Sequence, residues 1–166
     1  IQAETVACSR RGRVEALCSL GPRNDTASLR SALSFLAAQF PPEFSIRLQP
    51  VETPGCGLAQ RRYNLVASIG GSEGSGTVSI GAHYDTVRGT PGADDNASGV
   101  AVVVELAHLL AGALAEGDLK PGLQLEFVLF TNEEAPYFGT TAMGSREYFS
   151  GRTDIVQFIK IGRAHV

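Results

Sequence analysis

The sequence predicts an α/β fold with a mostly parallel central sheet flanked by helices. Three observations lead there. Strand-like and helix-like patterns alternate along the chain. The stretch "LEFVLF" is nearly continuous in apolar residues, as an interior strand requires. A long apolar helix pattern is closed by Gly117 and then by Pro121-Gly122. The length of 166 residues suits one domain, and 43% hydrophobic with 19% charged residues is a globular balance.

The elements follow in order. "TASLRSALSFLAAQF", residues 26–40, sets Leu29, Leu33, Leu36 and Ala37 at helical spacing, and Pro41-Pro42 stops it. "FSIRLQPVE" alternates and predicts a strand; "RRYNLVASI" and "TVSIGAHYD" predict two more. Between those two, "GGSEGSG" reads as a flexible hairpin turn. Its first five residues match the G-x-S-x-G of a serine nucleophile elbow. That motif needs a helix leaving it, and here a strand leaves, so the turn is the better reading. Residues 97–116 predict a long helix on which Glu105 and His108 share a polar face, opposite Val104, Ala107 and Ala111. His108 is therefore expected to be a solvated helix histidine. "LQLEFVLFT" predicts a strand, "TTAMGSREYFSG" a short helix, and "DIVQFIKI" a further strand. No internal repeat or low-complexity segment interrupts the series.

Composition narrows the function classes. A net charge of -3 and no basic stripe give no reason to expect nucleic acid as a partner. Residues 99–115 are apolar but carry Glu105 and His108, so no membrane segment is expected. No signal peptide is visible behind Ile1. Cys8, Cys18 and Cys56 are far apart with no C-x-x-C, which argues against a cysteine zinc site. One disulfide with a free thiol, or three idle thiols, both remain open.

The chemistry gathers in "GAHYDTVRGTPGADDNASG", residues 81–99. His83 and Asp85 are two apart at a strand end, so both side chains point to one side of the sheet. A metal-bound imidazole commonly gives its other N–H to a carboxylate. An H-x-D pair alone is a weak signal. Asp94-Asp95-Asn96 then stands before a helix, where capping needs only one such residue. Ala97, Ser98 and Gly99 are small and let the chain pass close to something bound. Glu133 and Glu134 follow directly on the apolar strand, beyond its carboxyl end, where α/β sheets bind ligands. Two adjacent glutamates with no basic neighbour nearby repel each other, and a divalent cation turns that into an advantage. One can ligate while the other handles a proton.

"GAHYDT…GADDNASG…NEEAPYFGT…MGS" resembles the M28 family of zinc aminopeptidases, over roughly residues 26–160. The resemblance implies a zinc-peptidase-like three-layer sandwich, incomplete at its C-terminus. It implies that His83 ligates one zinc, that Asp95 bridges two, and that Glu134 ligates the other, giving two Zn2+ per intact catalytic domain. Glu133 becomes the general base and Asp85 the carboxylate that orients His83. A cis peptide bond after Asp95 belongs to the same pattern. The implied substrate is a peptide with a free N-terminus that loses one residue, and the implied location is secreted or periplasmic.

The family pattern has five metal-ligand positions, and three are filled here. Another acid should end the next strand, and a histidine should come much later. Residues 1–160 are then a partial M28-like peptidase domain. "IGRAHV", residues 161–166, matches the translation of a common sequencing-adapter read and is expected to be an artefactual tail. His165 lies in that tail and matches no family motif. On this reading the chain as given is inactive and binds zinc poorly. Two other functions stay in play. One is a glutaminyl-cyclase-like protein, which shares the fold and uses one zinc. The other is a non-catalytic binding domain of the same fold, against which the intact His83, Asp95, Glu133 and Glu134 count.

Overall fold

The computed structural model describes residues 10–52, 57, 61–72, 74–117, 122–134 and 142–162. Cys8, Cys56, Pro121, the "APYFGTT" stretch after Glu134 and His165 therefore lie outside the described residues. Helix α1 spans Arg10–Ser19 and α2 Thr26–Ala37. Strands β1 (Ser45–Val51), β2 (Arg62–Gly70) and β3 (Thr77–His83) follow. Then come α3 (Ser98–Ala115), β4 (Gln124–Phe130), α4 (Gly144–Phe149) and β5 (Ile155–Lys160).

The start of α2 is set by a capping box. The Ser28 backbone N–H donates to Asp25 Oδ1 at 2.8 Å, and the Asp25 N–H donates to Ser28 Oγ at 3.2 Å. Helix α1 has no counterpart in the sequence reading. Only Arg13 and Leu17 of it are buried, so its apolar stripe is too narrow to stand out among its charged residues.

The five strands form one sheet in the order β1-β2-β4-β3-β5. Pairs β3–β4 and β3–β5 are parallel, and β1–β2 and β2–β4 are antiparallel. The α/β class is as the sequence predicts, with the sheet mixed in direction. "GGSEGSG" does not close a hairpin, because β4 lies between β2 and β3. The physical reason is burial. The last five residues of β4 are all buried, so that strand needs neighbours on both edges and helices or side chains on both faces.

Alternation along the strands divides the core in two. Leu65, Ala67, Phe127 and Leu129 face α2 and α3, where Leu29, Leu33, Leu36, Val100, Val103, Val104 and Ala107 complete one cluster. Val66, Val128 and Phe130 face the other way, onto Tyr148 of α4, with Phe149 and Phe158 beside them. Helix α3, with the turn before it, is long and apolar enough to cross a membrane by composition. Here Val100, Ala101, Val103, Val104 and Ala107 are buried, four of them in the cluster on the sheet. His108 is exposed, as expected, with Nε2 at 2.8 Å from the Gln39 carbonyl. Glu105 instead pairs with the buried Arg13 of α1.

A polar network anchors β5 under the second cluster. Tyr148 Oη donates to Glu126 Oε2 at 2.5 Å, and Arg152 Nη1 reaches the same oxygen at 2.6 Å. Arg152 Nη2 lies 2.5 Å from Asp154 Oδ2, which also accepts from Thr77 Oγ1 at 2.7 Å. Arg152 and Thr77 hold the Asp154 carboxyl well below its ordinary 3.8. Its folded pKa is depressed, so its contribution to stability is complete above the unfolded value and lost as pH falls through the folded one. The protein should therefore lose stability on acidification below about pH 4, and Asp154→Asn should flatten that dependence. Urea midpoints at stepped pH check it; identical slopes in both proteins would remove Asp154 from the account.

Candidate functional site

The site is built at the carboxyl ends of β3 and β4. His83 is the last residue of β3 and pairs in register with Phe130, the last of β4. Beyond Phe130, the buried Asn132 takes a left-handed conformation at φ 56° and turns the chain. Its amide Nδ2 donates to the Ala142 carbonyl at 2.9 Å, and its Oδ1 accepts from Arg62 at 2.6 Å. The turn brings the Glu133 and Glu134 backbone amides onto the Asp85 carboxylate, at 3.2 Å and 3.0 Å. Asp85 thus ties the end of β3 to the end of β4.

Asp95 arrives from the other direction. Residues 93–97 form a kinked turn in which Asp95 (φ -117°, ψ 90°) and Asn96 (φ -139°, ψ 42°) are not helical. The Asp95–Asn96 peptide is cis, as the family resemblance implies. The three polar residues before α3 divide their work. Asn96 Oδ1 accepts the Gly99 amide at 3.1 Å in the first turn of α3, which is the capping role. Asp95 Oδ1 instead lies 2.9 Å from His83 Nε2. Asp94 is exposed. Gly92, at φ 60°, permits the approach, since a Cβ there would fall 2.4 Å from the Asp95 carbonyl and from Thr86 Cγ2.

His83, Asp95 and Glu134 therefore converge: one ligand atom from each lies within 4.8 Å of the others. His83 and Asp85 are fully buried and Glu134 nearly so. His83 Nδ1 is 3.2 Å from the Asp85 carbonyl and 3.5 Å from Asp85 Oδ1. The shorter contact is the hydrogen bond, and the longer one is electrostatic support. Burial pulls the His83 pKa down, but the carboxylate of Asp85, with the charges of Glu133 and Asp95, outweighs it and raises the pKa. The Glu134 pKa is raised by burial first and then by the charge of Asp95.

Glu133 points at the same centre, with Oε2 at 4.0 Å from His83 Nε2. Its Oε1 accepts from Lys160 Nζ at 2.8 Å. This corrects the expectation that the glutamate pair has no basic neighbour. Lys160 is far away in sequence and comes close because β5 pairs with β3, setting it opposite Gly81. Beside Glu133 opens a cavity of about 490 Å³ lined by Phe130, Phe149, Phe158, Arg146 and Lys160, among others. One imidazole nitrogen and two carboxylates on a buried, converging centre form a donor set suited to zinc and similar divalent cations.

The sequence profile of peptidase family M28 matches residues 64–162. An uncharacterised Escherichia coli protein, YfbL, is 44% identical over 90 residues, covering 49% of this chain and 26% of that protein. A probable leucine aminopeptidase of Arthroderma otae is 32% identical over 116 residues, covering 61% of this chain and 31% of its own length. The chain thus spans only about a third or less of these curated relatives. Among solved structures, a glutaminyl cyclase of Porphyromonas gingivalis superposes with a TM-score of 0.57 at 28% identity, covering 74% of this chain and 44% of that one.

Asp85→Ala should destabilise the fold. It strips the acceptor from two backbone amides, and a buried unsatisfied donor costs about 1–3 kcal/mol. Relief of repulsion from Asp95 and Glu134 offsets part of that loss. Equilibrium urea denaturation measures the net, and an unchanged midpoint would mean that water replaces the carboxylate without cost.

Proposed function

The chain belongs to peptidase family M28, and on that premise we propose that the protein it represents is a zinc-dependent aminopeptidase. The observation that carries this reading is the convergence of His83, Asp95 and Glu134 within 4.8 Å, with Glu133 at 4.0 Å from His83. The aminopeptidase name of the Arthroderma relative supports removal of single residues from a free N-terminus.

His83, Asp95 and Glu134 would hold the metal, with Asp95 the ligand shared between two ions. A bound zinc supplies a Lewis acid that polarises the scissile carbonyl and lowers the pKa of water. Glu133 acts as the general base. It takes the proton from the attacking water and hands it to the leaving amine. Lys160 holds one oxygen of that carboxylate, which turns the other toward His83. Asp85 fixes the His83 ring from behind and, through the two amides it accepts, fixes where Glu133 stands.

A second reading is favoured by the 28% identity to a glutaminyl cyclase. There the peptide's own α-amine attacks the side-chain carbonyl of an N-terminal glutamine, and ammonia leaves. A peptide beginning with glutamine separates the two: hydrolysis frees the amino acid, and cyclisation frees ammonia while the chain keeps its length.

In the full-length protein, Glu133→Gln should retain bound zinc and lose turnover of leucine-nitroanilide by roughly 100- to 10,000-fold. Zinc content and kcat are measured on the same preparation. Parental kcat in the variant would show that another group moves the proton. Removing metal with a chelator should abolish activity in the parent, and added zinc should restore it.

A further inference from the structure

Among the described residues, Arg23 is placed unlike any other charged side chain. It lies in the connection between α1 and α2, and its side chain is fully buried. Among the described residues no carboxylate lies within ion-pair distance of it, and Nη2 has no hydrogen-bond partner. Its guanidinium is committed to main-chain carbonyls. Nε donates to Tyr84 O at 2.6 Å, and Nη1 donates to Pro91 O at 2.7 Å, with longer contacts to Gly21 and Leu17. Its own backbone is joined to the same loop: Arg23 N–H donates to Thr86 Oγ1 at 2.9 Å, and Thr86 N–H donates to Arg23 O at 3.1 Å. Burial lowers its pKa, with the charges of Cys18 and Asp85 working against that. A buried charge without a carboxylate in contact is a costly arrangement to keep.

What Arg23 grips explains the arrangement. The loop from Tyr84 to Gly92 leaves β3 at His83 and returns the chain to Asp95. One planar fork holds a carbonyl near each end of it. A Cβ at Gly92 would come 3.2 Å from Arg23 Nη2, so the guanidinium also lies against the last residue before the kinked turn. We propose that Arg23 is a positioning residue for the metal site, whose forked guanidinium sets the loop and thereby the His83–Asp95 separation. This rests on the reading above, that the site takes a divalent metal. It acts at the other end as well, since the gripped loop carries Asp85 and hence the Glu133 and Glu134 amides. Lysine does not substitute, because a single ammonium cannot bridge two carbonyls in fixed geometry.

Arg23→Met and Arg23→Lys in the full-length protein test this, with Arg13→Met as control. Arg13 is also a buried arginine, but it pairs with Glu105 and, among the described residues, makes no bond to the loop, so it reports loss of stability alone. Two quantities are measured: zinc affinity by competition with a chelating dye, and amide hydrogen exchange across residues 84–97 in metal-free protein. Both Arg23 variants should bind zinc about 10- to 100-fold more weakly, the range for residues that orient ligands from behind. Both should exchange faster in that segment, with α2 unchanged. Arg13→Met should lower the melting temperature and leave zinc affinity within about twofold of the parent, well short of that range. Parental zinc affinity in Arg23→Lys, or an equal loss in Arg13→Met, would overturn the proposal. Absence of zinc binding in the parent would sink the metal reading instead, while exchange in metal-free protein still decides whether Arg23 fixes the loop. If both Arg23 variants fail to fold, exchange in the metal-free parent decides instead: the Arg23 Nε–H should exchange together with the amides of residues 84–97, and a guanidinium that exchanges freely while those amides stay protected overturns the proposal.

Discussion

Parallel pairing of β3 with β4 is the constraint on which the site depends. In the observed register His83 stands opposite Phe130, so the two strands end level with each other. Asp85 then meets the amides of Glu133 and Glu134 with no more than a short turn from either strand. Antiparallel pairing would send one of these ends to the far edge of the sheet, roughly 20 Å away for a seven-residue strand. The insertion of β4 between β2 and β3 is therefore a matter of chemistry as well as burial. A β2–β3 hairpin would have given β3 an antiparallel neighbour on the edge that β4 takes.

Gathering four carboxylates at one edge is costly, since two like charges about 4 Å apart repel by roughly 4 kcal/mol at an effective dielectric constant of 20. The fold answers each acid from a different direction. Asp85 is met by two backbone amides, Asp95 by His83, and Glu133 by Lys160. Glu134 has its pKa raised by burial and by Asp95. Asp85, Asp95 and Glu133 thus have compensating partners within the protein, while burial and Asp95 disfavour the charged form of Glu134. Folding and metal binding can then be measured as separate events, unlike in small domains that fold only around their metal.

Much of the local structure is legible in the sequence because local patterns carry it. Alternation gives the strands, helical spacing and a proline stop give α2, and glycine punctuation gives the end of α3. His83, Asp85, Asp95 and the glutamate pair are legible because each sits at an element boundary, where residue type is least dictated by packing. The illegible parts are those decided by distant partners. Strand order depends on which strand needs burial on both faces, and that competition has no sequence period. Helix α1 buries too little to show a stripe. Lys160 reaches Glu133 through the register of β5 on β3. Arg23 reads as an ordinary charged residue in a polar connection, and only the folded loop reveals that both its ends rest on one side chain.

The proposed donor set would serve hydrolysis and cyclisation alike, so it does not choose between them. Each reaction needs a polarised carbonyl and a carboxylate that can carry a proton between nucleophile and leaving group. What differs is the nucleophile. Cyclisation brings its own amine and gains from a tight, dry pocket sized to one glutamine side chain. Hydrolysis needs water standing beside the base while a substrate side chain is also seated. The open, aromatic-walled cavity of about 490 Å³ next to Glu133 has room for both. That is the condition a peptidase requires, and among the features of this site it is the one that weighs toward attack by water.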